Sequence, residues 1–470
     1  MNFKRVLSGT TVAIVLLAGA SQLPPVNAHV TGNGHPVITS LAPMLQEVTP
    51  AVVSIRVSST VNPVQRPFTN NRLPDELRRF FNFDETVPVP PAAPPGRQRQ
   101  GAGSGVIINA GKGLVVTNHH VVAAADRITV TLKDGRNYAA TLLGTDEATD
   151  VALLQIPPEN LDALEFADSD RAEVGDFVVA IGNPFGIGQT VTSGIISALG
   201  RAGLDSEKYE DFIQTDAAIN VGNSGGALVD MEGRLLGINT AIISGNGGGS
   251  DGIGFAVPAA MVAAVAGHLE RDGVVNRGML GVQISSVTAE IAASLDLAVS
   301  NGALVTGVLP DSAAEKAGIR VYDIIVGIDG QAVESGRDLR NRVGLISVGG
   351  QVDLTVVRNG TEIQVAASLG GEAGKVVAQR ESVRPPASLA GASLQTADAR
   401  DDGNGGVLIT DVVPRSRAWQ AGLRAGDRIT EVNRTTVQDL AEFDTLVDQS
   451  GALLALTVRR EDREILIMVS

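Results

Sequence analysis

The C-terminal half of this 470-residue chain contains an internal repeat, and the repeat constrains the fold more than any other feature of the sequence. The run Gly302-Ala303-Leu304-Val305-Thr306 returns as Gly406-Val407-Leu408-Ile409-Thr410. The same offset pairs Pro310 with Pro414, Ala317-Gly318 with Ala421-Gly422, and Asp323 with Asp427. Two copies do not form a solenoid, so we predict tandem domains at 273–370 and 387–470. The polar, proline-bearing stretch 371–386 is predicted to be the linker between them.

Length and composition limit the remaining choices. At roughly 150 residues per domain, the chain has room for about three domains. The net charge of −15 argues against nucleic acid as a partner. The absence of cysteine excludes disulfides, thiol chemistry and cysteine metal sites, and the few histidines form no ligand cluster. We therefore expect no cofactor and no metal.

The first 28 residues have the pattern of a secretory signal peptide. Lys4 and Arg5 precede the short apolar run Val12 to Ala20, and Val26-Asn27-Ala28 is typical of a cleavage site. The alternative is a retained membrane anchor, for which the apolar run is short. Cleavage after Ala28 removes two basic residues and no acidic ones, which changes the net charge from −15 to −17. The pattern predicts an exported protein.

Residues 29–272 have the pattern of a β-rich domain. Short β-branched runs separated by turns extend from Gly101 to Val257 and predict an all-β sandwich or barrel. Helices are predicted at Ser40 to Val48 and from about Pro258 to Arg271. A proline-rich loop, 62–100, interrupts the domain and carries Phe80, Phe81 and Phe83. It is either a mobile functional loop or a disordered insertion, and its phenylalanines indicate a contact surface.

A candidate nucleophile lies in Asn220-Val221-Gly222-Asn223-Ser224-Gly225-Gly226. Glycines permit the tight turn that exposes a serine hydroxyl and directs backbone N–H groups at one point. In a chain with 54 glycines, this stretch alone is equally compatible with an ordinary surface turn.

A nucleophilic serine needs a base and a group that orients the base. Of the five histidines, His119 and His120 directly follow a predicted strand. Neighbouring residues at a strand end point to opposite faces, so only one of the two is expected in the site. Asp150, just before an apolar strand, is predicted to be the buried orienting carboxylate. Asp146, in a polar turn, is predicted to be a solvated surface acid.

The motif Gly-x-Ser-x-Gly at 222–226 is also that of the α/β-hydrolase nucleophile elbow. That fold requires the order serine, acid, histidine, whereas the only histidine after Ser224 is His268. The order His120, Asp150, Ser224 is that of chymotrypsin-like enzymes.

These segments resemble the catalytic blocks of the HtrA family, of the DegP/DegQ (Do-like) type. The resemblance lies in Thr117-Asn118-His119-His120-Val121, Thr149-Asp150-Val151-Ala152-Leu153-Leu154 and Gly222-Asn223-Ser224-Gly225-Gly226-Ala227-Leu228. It implies a mainly β fold: a chymotrypsin-like double β-barrel protease domain followed by two PDZ-like α+β domains.

The resemblance also implies roles for individual residues. His120 would be the general base, Asp150 its orienting acid and Ser224 the nucleophile, with Gly222 and Ser224 N–H groups as the oxyanion hole. Ile219 and Ile242 match the S1 pocket, which implies cleavage after small aliphatic residues such as Val or Ala. The other implied positions are Asn223 in the oxyanion loop, Thr240 and Ala241 along the substrate, and Arg201 in the activating loop.

In the first repeat, Met279-Leu280-Gly281-Val282 resembles the loop that captures a peptide C-terminus, although a plain turn remains an alternative. Leu389-Ala390-Gly391-Ala392 is a poorer copy, for which docking between subunits is expected instead.

Two departures from the family are visible. Tyr322 occupies the place of Gly426, which puts the local turn in doubt, and the 62–100 loop lacks the cysteines of some relatives.

We therefore predict an exported, ATP-independent serine endoprotease, and the resemblance implies that it degrades unfolded envelope proteins. Its implied partners are unfolded polypeptides, C-terminal peptides and further copies of itself, as trimers and larger cages. The phenylalanines of the 62–100 loop would then be contacts between subunits. The alternatives are a holding chaperone with a normally resting protease site and a PDZ scaffold without activity.

Overall fold

The computed structural model describes eleven stretches of the chain. They are residues 40–60, 98–123, 125–184, 188–202, 208–220, 222–242, 252–371, 389–397, 405–450, 453–461 and 463–469. The predicted signal peptide, nearly all of the 62–100 loop and nearly all of the 371–386 linker lie outside these residues. Among the helices of the described residues, none has both the length and the apolar character needed to cross a membrane.

Two closed six-stranded barrels make up the N-terminal part. The first has the strand order β1-β2-β3-β6-β5-β4 and the second β10-β11-β12-β9-β8-β7. The strands of the first are β1 Val52–Thr60, β2 Gln98–Asn109, β3 Leu114–Thr117, β4 Arg127–Thr131, β5 Asn137–Asp146 and β6 Val151–Gln155. Those of the second are β7 Phe177–Gly182, β8 Thr190–Arg201, β9 Phe212–Thr215, β10 Ala227–Val229, β11 Leu235–Ile242 and β12 Gly254–Pro258. The predicted double β-barrel is confirmed.

Helices flank the barrels close to where the sequence predicts them. Helix α1, Ala42–Val48, starts after Ser40, whose hydroxyl accepts the Ala42 N–H at 3.1 Å. The chain then makes a 3-10 turn over Thr49–Ala51. Helix α2 is the single turn His119–Val122. Helix α3, Ala259–Asp272, ends at Gly273, which has φ +72° and donates its N–H to the Leu269 carbonyl, a typical glycine termination.

The repeats form two PDZ-like modules. The first contains β13 Val282–Ser286, β14 Ala303–Val308, β15 Ile324–Ile328, β16 Gln331–Ala332, β17 Gln351–Arg358 and β18 Thr361–Ser368, with helices α4 Ala289–Ser294, α5 Ala313–Lys316 and α6 Gly336–Gly344. The second contains β19 Ala392–Thr396, β20 Val407–Val412, β21 Arg428–Val432, β22 Thr435–Thr436, β23 Leu454–Arg460 and β24 Arg463–Val469, with helices α7 Arg417–Gln420 and α8 Leu440–Gln449. Strands β14 and β24 meet, so one sheet runs through both modules.

Each module is held by the same buried ion pair. In the first, Arg358 donates from Nε and Nη2 to the two oxygens of Asp323, both at 2.7 Å. In the second, Arg460 does the same to Asp427 at 2.6 and 2.7 Å. Both aspartates are 1% exposed. The aspartates of the sequence repeat therefore join the start of one strand to the end of another. The strands are β15 and β17 in the first module and β21 and β23 in the second.

Candidate active site

His120 and Asp150 form a hydrogen-bonded pair where the two barrels meet. Nδ1 of His120 lies 2.7 Å from Oδ2 and 2.9 Å from Oδ1 of Asp150, and the His120 backbone N–H donates to Oδ1 at 3.1 Å. Because a carboxylate only accepts, the hydrogen is on Nδ1, and in the neutral ring the Nε2 lone pair is available as a base. Thr240, on β11 of the second barrel, donates its hydroxyl to Oδ2 at 2.5 Å.

The backbone of Asp150 adopts the left-handed region, with φ +58°, just before β6. Such a conformation persists in a non-glycine residue only where neighbours hold it. Its carbonyl accepts the Asn118 side-chain N–H and the His119 N–H, both at 3.1 Å. Burial alone would raise the pKa of Asp150, but the charge of His120 and the hydrogen bonds from His120 and Thr240 together hold that pKa below its ordinary value. Asp150 is therefore kept ionised and oriented.

Ser224 stands in a turn that only glycines allow. Gly225 has φ +81°, and a Cβ there would lie 2.2 Å from the Ser104 carbonyl oxygen. The Ser104 N–H donates to the Ser224 carbonyl at 2.8 Å, and the Gly225 N–H donates to the Asn239 carbonyl at 2.8 Å. The Ser224 hydroxyl donates to the Thr240 carbonyl at 3.3 Å. Contacts from both barrels thus fix the serine turn.

Ser104 also orients the loop that precedes the serine. Its hydroxyl donates to the Gly222 carbonyl at 2.5 Å and accepts the Asn183 N–H at 2.7 Å. Within the part of the chain that the structure describes, the N–H groups of Gly222 and Ser224 donate to no protein acceptor. They are available as a pair of donors beside the serine hydroxyl.

The two neighbouring histidines lie in helix α2 and not at a strand end. The prediction that they point to opposite faces of a strand end was therefore wrong, because β3 ends at Thr117 and the chain enters the helix directly after Asn118. His120 alone bonds the Asp150 carboxylate with its ring. His119 is partly buried, and burial lowers its pKa against the opposing attraction of Asp150 and Glu147. His268 donates from Nε2 to the Leu345 carbonyl at 3.0 Å, far along the chain from the serine turn.

Asp146 is not a solvated surface acid, as predicted, but a buried residue with 7% exposure. Arg277 donates to its two oxygens at 3.0 and 2.6 Å. The N–H and hydroxyl of Thr149 donate to the same carboxylate at 3.1 and 2.5 Å. The prediction failed because it considered only local polarity, whereas the partner comes from 131 residues away. Asp146 lies at the start of the turn that ends at Asp150 and holds that turn through Thr149.

The predicted substrate positions are only partly described. Ile219 is fully buried in the core of the second barrel, and Asn223 is 2% exposed. The hydroxyl of Thr240 is directed at the Asp150 carboxylate. Ala241 and Ile242 end strand β11, and their side chains lie outside the described residues.

Arg201 ends strand β8, where its Nε donates to Gln214 Oε1 at 3.0 Å. Loop residues further along contact the first PDZ-like module. Tyr209 donates its N–H to the Ala148 carbonyl at 2.9 Å, inside the turn that leads to Asp150. The guanidinium of Arg277 lies over the Tyr209 ring, 4.4 Å from its centroid.

The backbone of the predicted carboxylate-binding loop is the same in both modules. Gly281 has φ +80° and accepts the Leu309 N–H at 2.9 Å, and Gly391 has φ +96° and accepts the Val413 N–H at 2.8 Å. Met279 exchanges backbone hydrogen bonds with Gly370. Leu280 is buried, while Val282 opens strand β13. The turn at Tyr322, placed in doubt by the sequence, is present with φ +72°.

Sequence reasoning missed three residues of this site: Ser104, Arg277 and the hydroxyl of Thr240 as a second partner of Asp150. The repeated glycines around Ser104 were the only local signal for the first.

No group of three or more histidine, cysteine or acidic side chains arranged to hold a metal occurs in the described residues.

Family models match three segments of the chain. Residues 103–238 match the trypsin-like peptidase domain, and residues 278–369 and 408–460 match two PDZ domain models. The first segment lies within the two barrels, and the other two lie within the two modules.

Named relatives match almost end to end. The chain is 45% identical over 433 residues to the periplasmic pH-dependent serine endoprotease DegQ of Escherichia coli strain K12, covering 92% of this chain and 91% of the relative. It is 42% identical over 450 residues to the periplasmic serine endoprotease DegP of the same strain, covering 92% of each. A solved HtrA-type protease, AlgW with a decapeptide, matches with 42% identity and a TM-score of 0.51, covering 71% of this chain and 99% of that one.

Proposed function

The chain belongs to the HtrA family of serine endoproteases, and on this premise we propose that Ser224, His120 and Asp150 carry out peptide-bond hydrolysis through an acyl-enzyme. The observation that carries the proposal is the His120–Asp150 pair, with Nδ1 2.7 Å from the carboxylate, beside a serine turn built from both barrels. A buried serine hydroxyl without such a base would be a weak nucleophile.

In the first step the Ser224 hydroxyl attacks the substrate carbonyl while Nε2 of His120 takes its proton. The ionised carboxylate of Asp150 stabilises the resulting imidazolium and keeps Nδ1–H pointed at itself. The N–H groups of Gly222 and Ser224 bind the oxyanion, and each such donor typically contributes about 3 kcal/mol to the transition state. His120 then returns the proton to the leaving amine, and water releases the acyl group by the same route.

Substrate selection rests on the second barrel. In this proposal Ile219 and Ile242 line the S1 pocket and favour Val or Ala before the scissile bond. Thr240 and Ala241 pair with the substrate backbone as an added strand, and Asn223 completes the oxyanion loop. The loop carrying Arg201 acts in activation. The backbone of Met279, Leu280, Gly281 and Val282 binds the C-terminal carboxylate of substrate or activating peptides.

The periplasm is the proposed location, because the named relatives are periplasmic proteases and the first 28 residues have the pattern of a signal peptide. There the protein would act as a homo-oligomer built from trimers, in quality control and stress response, on unfolded envelope proteins. A holding chaperone with a resting protease site is not favoured, since the relatives are named endoproteases.

The test compares the exported protein with its Ser224→Ala variant on an unfolded, cysteine-free substrate. We expect cleavage by the wild type alone, with mapped cuts after Val or Ala. Equal suppression of substrate aggregation by both proteins without any cleavage would instead support the chaperone function.

A further inference from the structure

Tyr322 occupies a backbone conformation that favours glycine. It has φ +72°, and the corresponding Gly426 of the second module has φ +91°. The two turns make the same backbone bond: the Tyr322 N–H donates to Val305 at 3.0 Å, and the Gly426 N–H donates to Ile409 at 2.8 Å. Glycine is therefore sufficient to form this turn, and a bulky residue at the same position strains the backbone. Something beyond the turn must offset that strain.

The side chain of Tyr322 reaches into the second module. Its hydroxyl lies 2.5 Å from Oγ1 of Thr457, a fully buried residue of β23. Thr457 donates its own hydrogen to Glu431 at 2.9 Å, so the tyrosine is the donor in the first bond. The guanidinium of Arg434 lies over the tyrosine ring, 4.8 Å from its centroid. Burial raises the pKa of Tyr322 to about 12, which keeps the hydroxyl protonated.

Apolar packing extends this contact across the junction. One buried cluster joins side chains of both modules. Its members are Val287, Ile291, Leu295, Leu304, Ile324 and Val357 from the first module and Leu453, Ala455 and Leu466 from the second. Beside the cluster, Gly307 of β14 pairs with Ile465 of β24. This pairing covers part of an edge strand that would otherwise expose unpaired backbone groups.

We propose that the first PDZ-like module carries a built docking surface for the second module of the same chain, anchored by Tyr322, so that the two modules move as one body. The surface combines strand pairing, a shared apolar cluster and a hydroxyl relay. The relay consists of the hydrogen bonds from the Tyr322 hydroxyl to Thr457 and from the Thr457 hydroxyl to Glu431. The second module is thereby held against β14, on the edge opposite to β13, the strand that follows the predicted peptide-binding loop. A peptide that binds to the first module would therefore bind to a unit in which both modules move together.

The test measures the distance between the modules in the full chain. Because the protein has no cysteine, spin labels at Glu362→Cys and Asp444→Cys are unique sites on exposed positions of the two modules. The Ser224→Ala background prevents self-cleavage, and dilution with a large excess of unlabelled chain leaves only distances within one chain. We expect a single narrow distance distribution.

Tyr322→Gly removes the side chain while keeping a residue that suits the turn. We expect loss of the narrow peak, with the first module still folded. Thr457→Val removes only the hydroxyl relay and is expected to broaden the peak. The double variant should be no broader than Tyr322→Gly alone, because both substitutions remove the same contact.

The matched control is Asp311→Gly, another left-handed residue of the first module, with φ +59°, whose partners are Glu315 and Lys316. It places glycine at another left-handed position of the first module and should leave the narrow peak unchanged. Three results would overturn the proposal. They are a broad distribution in the wild type, a narrow peak that disappears on dilution with unlabelled chain, and a narrow peak that survives Tyr322→Gly.

Discussion

Arg277 and Asp146, 131 residues apart, form a two-pronged ion pair with N–O distances of 3.0 and 2.6 Å. Arg277 belongs to the start of the first PDZ-like module, while Asp146 opens the turn that ends at the strained Asp150. The same turn receives the Tyr209 N–H at Ala148. A residue outside the barrels therefore completes the support of the orienting carboxylate.

We predict that Arg277→Met lowers both stability and turnover. Removing one partner of a buried ion pair leaves an unpaired charge and costs about 3 kcal/mol of unfolding free energy. Because the turn at 146–150 loses an anchor, kcat for a short peptide substrate should fall while KM changes little. Chemical denaturation and steady-state kinetics measure the two effects.

Arg234→Met is the control for that variant, since Arg234 forms exposed pairs with Asp230 and Glu232 on the surface. It should change neither quantity measurably. Unchanged kcat in Arg277→Met would show that the ion pair supports only the domain contact and not the position of Asp150.

Gly222→Ala is predicted to lower kcat by about 10²–10³ because it disturbs one oxyanion donor. Gly222 has φ +104°, and an added Cβ would lie 2.2 Å from the Cβ of Pro184. Gly175→Ala is the control, because Gly175 has φ +106° but lies in the turn before β7, with no neighbour within 4 Å of an added Cβ. It should leave kcat unchanged, and an equal loss of kcat in both variants would show that general destabilisation, and not the oxyanion donor, explains the effect.

Asp211→Asn is predicted to stabilise the protein near neutral pH. Burial raises the pKa of Asp211, and the carboxylates of Asp338, Asp170 and Glu334 raise it further, against the attraction of Arg342. A raised pKa means that the folded state binds the proton more tightly than the unfolded state. The stability from this group is therefore complete below the ordinary pKa and is lost as pH rises through the folded-state pKa.

The measurement for Asp211 is the melting temperature of wild type and variant as a function of pH. The variant should melt higher at pH 7, and the difference should shrink as the pH falls below the ordinary aspartate value. A difference that grows in acid would contradict the assigned direction.

The duplicated ion pair predicts matched effects in the two modules. Asp323→Ala removes the carboxylate that pairs with Arg358, and Asp427→Ala removes the one that pairs with Arg460. Each variant should lose about 3 kcal/mol of stability in its own module. Hydrogen exchange resolves the modules separately, and loss of protection in the barrels instead would contradict the assignment to one module.

Local patterns predicted much of this molecule. The β-branched runs predicted the barrel strands, and the repeat predicted both modules. The order of His120, Asp150 and Ser224 indicated one site. These features are readable because strand periodicity and glycine turns depend on neighbouring residues.

What escaped prediction depends on contacts between distant segments. Asp146 was predicted to be a surface acid because no residue near it in the sequence indicates its partner, Arg277. The partners of Asp323 and Asp427 were missed because their arginines do not share the offset of the repeat. Tyr322 read as a disturbance of a turn, whereas its side chain contacts Thr457 in the other module.

In the proposed mechanism Ser224 is a nucleophile activated by His120 and Asp150. The most direct measurement is labelling by a fluorophosphonate, with the modified residue located by peptide mass spectrometry. We predict a single adduct on Ser224, none in Ser224→Ala, and labelling of Asp150→Asn slowed by about 10⁴, as is typical when the orienting carboxylate is lost. An adduct on another residue, or equal labelling rates in wild type and Asp150→Asn, would contradict this mechanism.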